Sequence, residues 1–296
     1  MDFLRYAELI IGPLADWQGG GSSGEAIRII ADGTNQNLRV AFNANKGITG
    51  SPNKIDLAIW GLSLKTRMAI RGNLTKIQVM AGYSSSPGSA GLVASGAILS
   101  AIPERQGPDI VMKITALDGY GGMVRGAYSR AFGGQTPISA VVSDIAASLP
   151  GVTVGLIDVD GNLFQKGQQF SGASADQLNS LGDQYGFSWS VQDGVFQAIS
   201  DKRDSGRSFL FTSGSNLINA SPLLNGPMAD NVGVEIQAKF DARMKPGDQM
   251  IIQSSVNPLL DGSYKSTSVN LQFDSHGQAM LKAQSMKTPP KETKKK

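Results

Sequence analysis

The sequence predicts a mainly β protein, built as barrels or sandwiches, with a smaller α+β unit in its middle. Three observations lead there. Apolar and polar side chains alternate with a period of two through the first and last thirds of the chain. Two helical patterns and an Asp-Gly hairpin signal interrupt that alternation between residues 124 and 205. Glycine is abundant, 36 of 296 residues, and it falls at turns rather than in a repeat. That is roughly 12 % against a usual value near 7 %.

In the first third, Leu38, Val40, Phe42 and Ala44 alternate with Arg39, Ala41 and Asn43, the pattern of a half-buried strand. Ile55, Leu57 and Ile59 repeat it, with Trp60 turned to the opposite face beside Gly61. Ile77, Val79 and Ala81 form the next candidate, and Ile110, Met112, Ile114 and Ala116 another. Ser-Gly-Pro clusters such as Ser84-Ser85-Ser86-Pro87-Gly88 separate them and favour turns.

The middle third changes period. Thr136-Pro137 reads as N-cap and first helical residue, with Ile138, Val141, Val142, Ile145 and Leu149 at helical spacing and Pro150-Gly151 as the stop. A second helix is expected to open on a capping box, Ser174 with Gln177, and to close on Gly186; Leu178, Leu181 and Tyr185 line one face. Phe187–Val191 and Val195–Ile199 flank Asp193-Gly194, a pair suited to the positive φ angles of a type I′ hairpin turn.

The last third returns to strands. Alternation is unbroken from Val232 to Met244, which predicts a strand over about 40 Å long if unbent. Such a strand would curl round a barrel or extend beyond its own domain. Lys265, Thr267, Val269, Leu271 and Phe273 alternate again; Ser275-His276-Gly277 turns the chain, and Ala279, Leu281 and Ala283 return it.

Composition narrows the function. There is no cysteine, hence no disulfide and no thiolate chemistry, and the single histidine, His276, argues against histidine-based metal sites. The net charge of +3 belongs to the end of the chain: residues 287–296 hold five lysines and one acid, leaving 22 basic and 23 acidic side chains elsewhere. The body therefore has no nucleic-acid footprint, and the Lys-rich segment reads as a flexible tail. No signal peptide is legible, and the longest near-apolar run, Gly91 to Ile102, is far short of the roughly 20 residues of a membrane-spanning helix. A soluble chain made in a cytoplasm, without membrane insertion, is expected.

Four local patterns hint at chemistry. Gly20-Gly21-Ser22-Ser23-Gly24 fits a nucleophile elbow, and Gly19, Gly21 and Gly24 a dinucleotide loop, but the segment from Glu25 to Ile30 ends at Asp32-Gly33, too short for the required helix. Asp158-Val159-Asp160-Gly161-Asn162 hints at a calcium loop; its glycine is misplaced and Gln169 stands where a bidentate glutamate belongs, so a hairpin turn between Val152–Val159 and Leu163–Gln165 is the better reading. Glu104 and Asp109 could be a glycosidase pair, yet Pro103–Asp109 reads as a polar connection carrying an arginine. His276 reads as a surface turn residue. No catalytic, cofactor-binding or metal residue is expected, and no cofactor.

Order and spacing of the strand motifs add a resemblance. Asn53 to Tyr83 (NKIDLAIWGLSLKTRMAIRGNLTKIQVMAGY) and Gly96 to Gly122 (GAILSAIPERQGPDIVMKITALDGYGG) resemble the N-terminal β-domain of baseplate hub proteins of contractile-tailed bacteriophages. A matching pattern runs from Val232 to Met286, through Arg243-Met244-Lys245-Pro246-Gly247-Asp248 and Asp261-Gly262-Ser263-Tyr264. Gly61 departs from the asparagine that relatives often carry before Leu-Ser. The resemblance implies two tail-tube-like β-barrel domains, residues 1–123 and 206–286, flanking a helix/hairpin domain, residues 124–205, with the tail at 287–296. It implies a non-enzymatic virion protein of the tail baseplate, a homotrimer joining the sixfold tail tube to the threefold central spike. Its partners would be tail tube protein, spike protein and other baseplate proteins, with DNA only as cargo in the channel. The rivals are a virion-associated cell-wall hydrolase and the hub of a phage-derived contractile injection device.

Overall fold

The alternating segments of the first third become strands whose apolar phase faces one core. The computed structural model describes residues 5–12, 26–32, 38–73, 76–83, 90–163, 166–224 and 231–286. Strands β1 (Arg5–Gly12), β2 (Ile27–Ala31), β3 (Arg39–Gly47) and β4 (Asn53–Trp60) lead through helix α1 (Leu64–Asn73) to β5 (Lys76–Tyr83), β6 (Gly91–Gln106) and β7 (Asp109–Asp118). The middle holds α2 (Tyr120–Arg125), β8 (Ala127–Phe132), α3 (Ile138–Ala147), β9 (Thr153–Asp158), β10 (Gln168–Ala173), α4 (Ser174–Tyr185), β11 (Phe187–Gln192) and β12 (Val195–Ser200). The last third holds β13 (Ser208–Thr212), β14 (Leu217–Leu224), β15 (Asn231–Lys239), β16 (Gln249–Gln253), β17 (Gly262–Asp274) and β18 (Ala279–Met286).

Thirteen strands share one sheet, in the order β14-β15-β18-β17-β3-β4-β7-β6-β5-β1-β2, with β16 joining β17 and β13 pairing β16. The two β flanks meet along a seam, where β3 and β17 pair antiparallel from Gly47↔Ser268 to Ala41↔Asp274. Phe42 of β3 stacks on Phe273 of β17 at 5.1 Å, and Phe240, just beyond β15, meets both edge-on at 6.2 and 5.5 Å. These rings lock side chains from both ends of the chain into one core. A second core belongs to the middle: Ile138, Val141, Val142 and Ile145 of α3 and Leu178 and Leu181 of α4 pack on Phe187, Trp189, Val191 and Phe196 of the β11–β12 hairpin. The hairpin turn has the expected geometry, with φ 58° at Asp193 and 83° at Gly194.

Several sequence expectations are corrected. β15 ends at Lys239 instead of running to Met244, although Phe240, Ala242 and Met244 remain buried. Asp241 breaks the ladder: its carboxylate accepts the Arg243 N–H at 3.0 Å and the Arg243 guanidinium at 2.6 and 2.9 Å, turning the chain. The long strands are instead β6 and β17, of 16 and 13 residues. Each contains a register shift, between Ile98 and Ser100 and between Ser266 and Ser268. The bulge in β17 reverses the buried phase, so that Tyr264 before it and Val269, Leu271 and Phe273 after it face the same core.

Among the described residues the expected pairing of Val152–Val159 with Leu163 does not form, and residues 164–165 of that hairpin lie outside them. β9 pairs in parallel with β12, and Leu163 N–H donates to Thr136 O at 2.9 Å, carrying the chain back to the start of α3. Helix α3 starts one residue later than expected: Pro137 is extended (ψ 135°), and the Thr136 hydroxyl donates to Gly133 O. The capping box of α4 is absent. Ser174 Oγ meets Ser148 Oγ at 2.7 Å, and the Gln177 amide donates to Ser171 O at 3.0 Å, because tertiary partners are closer to hand. Gly186 closes α4 in the left-handed conformation, φ 69° and ψ 55°, as expected. Pro103–Asp109 is a polar connection, as expected, and forms the tip of the β6–β7 hairpin, turning at Gly107-Pro108.

Candidate functional site

The densest chemistry among the described residues is a buried ionic joint between the large sheet and the helix–hairpin unit. Three strands reach it by keeping their core-facing phase. Lys46 continues Val40, Phe42 and Ala44; Asp118 continues Met112, Ile114 and Ala116; Asn53 precedes Ile55, Leu57 and Ile59. All three polar residues are buried. They meet the Asp193-Gly194 turn.

Asp193 is held by two cations, Lys46 Nζ on Oδ1 at 2.8 Å and Lys245 Nζ on Oδ2 at 2.6 Å. The Lys46 and Asp193 side chains are 1 % and 2 % exposed, so water does little to screen this pair. Asp118 caps the same turn from β7, accepting the N–H groups of Asp193 and, at 3.0 Å, Gly194. Burial, then the negative charge of Asp193, push the Asp118 carboxyl up to about 7, against the pull of Lys46 and the two N–H donors. Asn53 completes this side: its amide donates to Val191 O at 2.8 Å, and its oxygen accepts Gly47 N–H at 3.0 Å.

Lys245 brings the loop before β16 into the joint. Within it, Asp248 is fully buried and accepts the Arg207 guanidinium through both oxygens at 2.8 Å, the Ser205 hydroxyl and the Lys245 N–H. Gly247 has φ 96°, a backbone conformation that strains any side chain, and a Cβ there would also displace the end of the Ile199 side chain, 2.7 Å away. Gln197 donates to Pro246 O at 2.8 Å, and Lys265 Nζ donates to Ser200 O at 2.8 Å. A cleft of about 650 Å³ opens beside the joint, lined in part by Lys76, Ser95, Tyr120 and Arg125. The joint presents hydrogen-bonded carboxylates to cations and backbone; its chemistry is adhesion between two cores.

The catalytic and calcium-like patterns of the sequence lie elsewhere. Gly20–Gly24 falls outside the described residues. Asp158 and Asp160 are both held at 2.9 Å by Arg203. Glu104 pairs with Lys113 across the hairpin at 2.5 Å, not with the neighbouring arginine. His276 is an exposed turn residue whose N–H donates to Asp274. No group of three or more metal-ligating side chains occurs among the described residues, and no helix among them is long and apolar enough to cross a membrane. Sequence reasoning missed the joint. Its signal was available as polar residues, Lys46 and Asp118, standing at positions whose phase belongs to the core.

Solved structures place this architecture among tail proteins. The chain superposes on the tail protein from Neisseria meningitidis MC58 with a TM-score of 0.62 at 10 % identity, covering 96 % of each chain. A 43 kDa tail protein of prophage MuSo2 from Shewanella oneidensis gives 0.59 at 12 % identity, over 95 % of this chain and 97 % of that one. An Escherichia coli protein described as a type VI secretion component, similar in structure to the T4 tail proteins gp27 and gp5, gives 0.58 at 9 % identity, over 83 % and 73 %. No curated protein sequence matches. The fold is thus that of a phage tail protein. Residues 28–283 match the model of the family described as baseplate hub gp41, and the chain belongs to that family.

Proposed function

We propose that three copies of this chain form a ring in the baseplate of a contractile tail. The ring joins the sixfold tail tube to the threefold central spike and surrounds a channel through which DNA passes as cargo. The observation that carries this reading is the hub-family match across residues 28–283. Each copy contributes two tube-like β modules, residues 1–123 and 206–286, so three copies offer six; residues 124–205 form the unit docked by the ionic joint. The sheet supports an assembly. β14 and β2 stand at the two ends of its main path among the described residues, Ile218 on β14 is 56 % exposed, and Leu210 on β13 and Val256 and Leu259 after β16 are exposed as well. Sheet edges and apolar surface of this kind are covered by cyclic association.

Light scattering on the chain mixed with its spike partner, and copy counting in particle images, should both give three. One copy or six in an intact particle overturns the ring. The chain works without catalysis in this reading, so a cell-wall suspension should stay turbid; clearing abolished by one Asp or Glu substitution would establish the hydrolase instead. A second reading, the hub of a phage-derived injection device, draws on the likeness to the secretion component, which is one of fold alone. The neighbouring genes separate the two.

A further inference from the structure

Helix α1 carries charge and apolar surface that nothing among the described residues uses. Its fold is local: Ser63 Oγ accepts the Thr66 N–H at 3.1 Å as an N-cap, and Ile70, 1 % exposed, anchors the helix on the sheet beside β6. The opposite face is turned outward. Leu64 and Met68, one turn apart, are 67 % and 60 % exposed. Lys65 and Arg71 flank this ridge, Arg67 is half-buried, and the helix contains no acid. None of these three cations has an ion-pair partner among the described residues, whereas Lys54 and Lys113 on the neighbouring strands β4 and β7 each hold a carboxylate. Lys65 stands in the first turn, where the helix dipole adds to its charge instead of offsetting it.

We infer that α1 is a docking surface for a different protein of the particle, one that presents acidic side chains around a small apolar patch. The inference rests on the chain being a particle component, as proposed above. Charge complementarity selects an acidic occupant, and the Leu64–Met68 ridge selects one with apolar groups to bury. Helix α4 of a second copy fits poorly: it exposes Asp176 and Asp183 alongside Asn179 and Ser180, with no apolar side chain to meet the ridge. DNA phosphates would leave the ridge idle. A membrane would gain only two apolar side chains from a short helix already fixed by Ile70.

The test is a photo-cross-link in assembled particles, with Met68→p-benzoylphenylalanine in the full chain supplied to a phage lacking its own copy. The expected result is one adduct to a different particle protein, through a peptide of net negative charge that also contains aliphatic residues. Adding Lys65→Glu and Arg71→Glu should lower the adduct yield by about tenfold, while the melting temperature stays nearly unchanged, because both side chains are exposed and the helix dipole favours the first change about as much as it opposes the second. Particles containing the chain but giving no adduct, an adduct to a second copy or to DNA, or a yield indifferent to the charge reversals overturn the inference alone. A chain absent from the particles refutes it together with the proposed function.

Discussion

Removing the charge of Asp193 while keeping its turn isolates what the buried ion pair does. Asp193→Asn preserves a type I′ turn, since Asn-Gly adopts it readily, but leaves Lys46 buried opposite a neutral group. Urea unfolding should show a loss of about 3 kcal/mol. Lys46→Met together with Asp193→Asn should recover most of it, because the buried ammonium left without its counter-charge is then removed as well. Asp118 adds a pH dependence whose sign is set by its pKa, raised from 3.8 to about 7. The folded protein holds this proton more tightly than the unfolded chain, so its stabilising contribution is greatest below about pH 4. It is lost as pH rises through about 7 and is level beyond. The melting temperature should therefore fall between pH 5 and pH 8 by less in Asp118→Asn than in the parent. At this scale the sequence announced burial but not partnership. Lys46 and Asp118 are legible as polar residues in a core phase, while Ser174 and Gln177 matched a local motif that their tertiary neighbours, Ser148 and Ser171, overrode.

Strands test which faces matter. Ile236 of β15 is fully buried and Glu235 is part-exposed, hydrogen-bonded to Gln284 at 2.7 Å. Ile236→Asp should abolish folding by burying an unpaired charge, whereas Glu235→Lys should shift stability by less than about 1 kcal/mol. Soluble yield and thermal melts of the two variants decide it; equal damage would mean that the outer face is covered as well. The β11–β12 hairpin was legible because its information is local, an Asp-Gly pair between alternating runs. Helix α1 was not, because Leu64 and Met68 point outward and only Ile70 points in, so its apolar pattern does not outline a buried face. The end of β15 escaped for a related reason: alternation persists through Met244, and the hydrogen bonds of Asp241 stop the ladder without interrupting it.

Across the whole molecule, periodicity told which face of each strand is buried but not which strand lies beside it. The seam of β3 with β17, and hence the union of both flanks in one sheet, has no signature in either segment. Charge is similarly global. The Lys-rich residues 287–296 lie outside the described residues, and their sequence alone supports the expectation of a solvated end. Deleting them should leave trimer formation and particle assembly unchanged at every ionic strength. Failure of the shortened chain to join its partners at low salt, where unlike charges attract over about 10 Å or more, would make the segment a docking element.

The seam also sets a timetable for synthesis. Asn43 and its partner Asn270 are 227 positions apart, so β3 pairs with β4 at once but waits for more than two hundred further residues before its neighbour on the other side exists. Until then one side of β3 offers unpaired backbone groups to any other nascent strand, a hazard that grows with the delay. Folding should be slow for a chain of this size. Fragments ending before Asp274 should aggregate even where they contain every residue of the first β flank, because the seam side of that flank is covered only by a strand made 227 positions later.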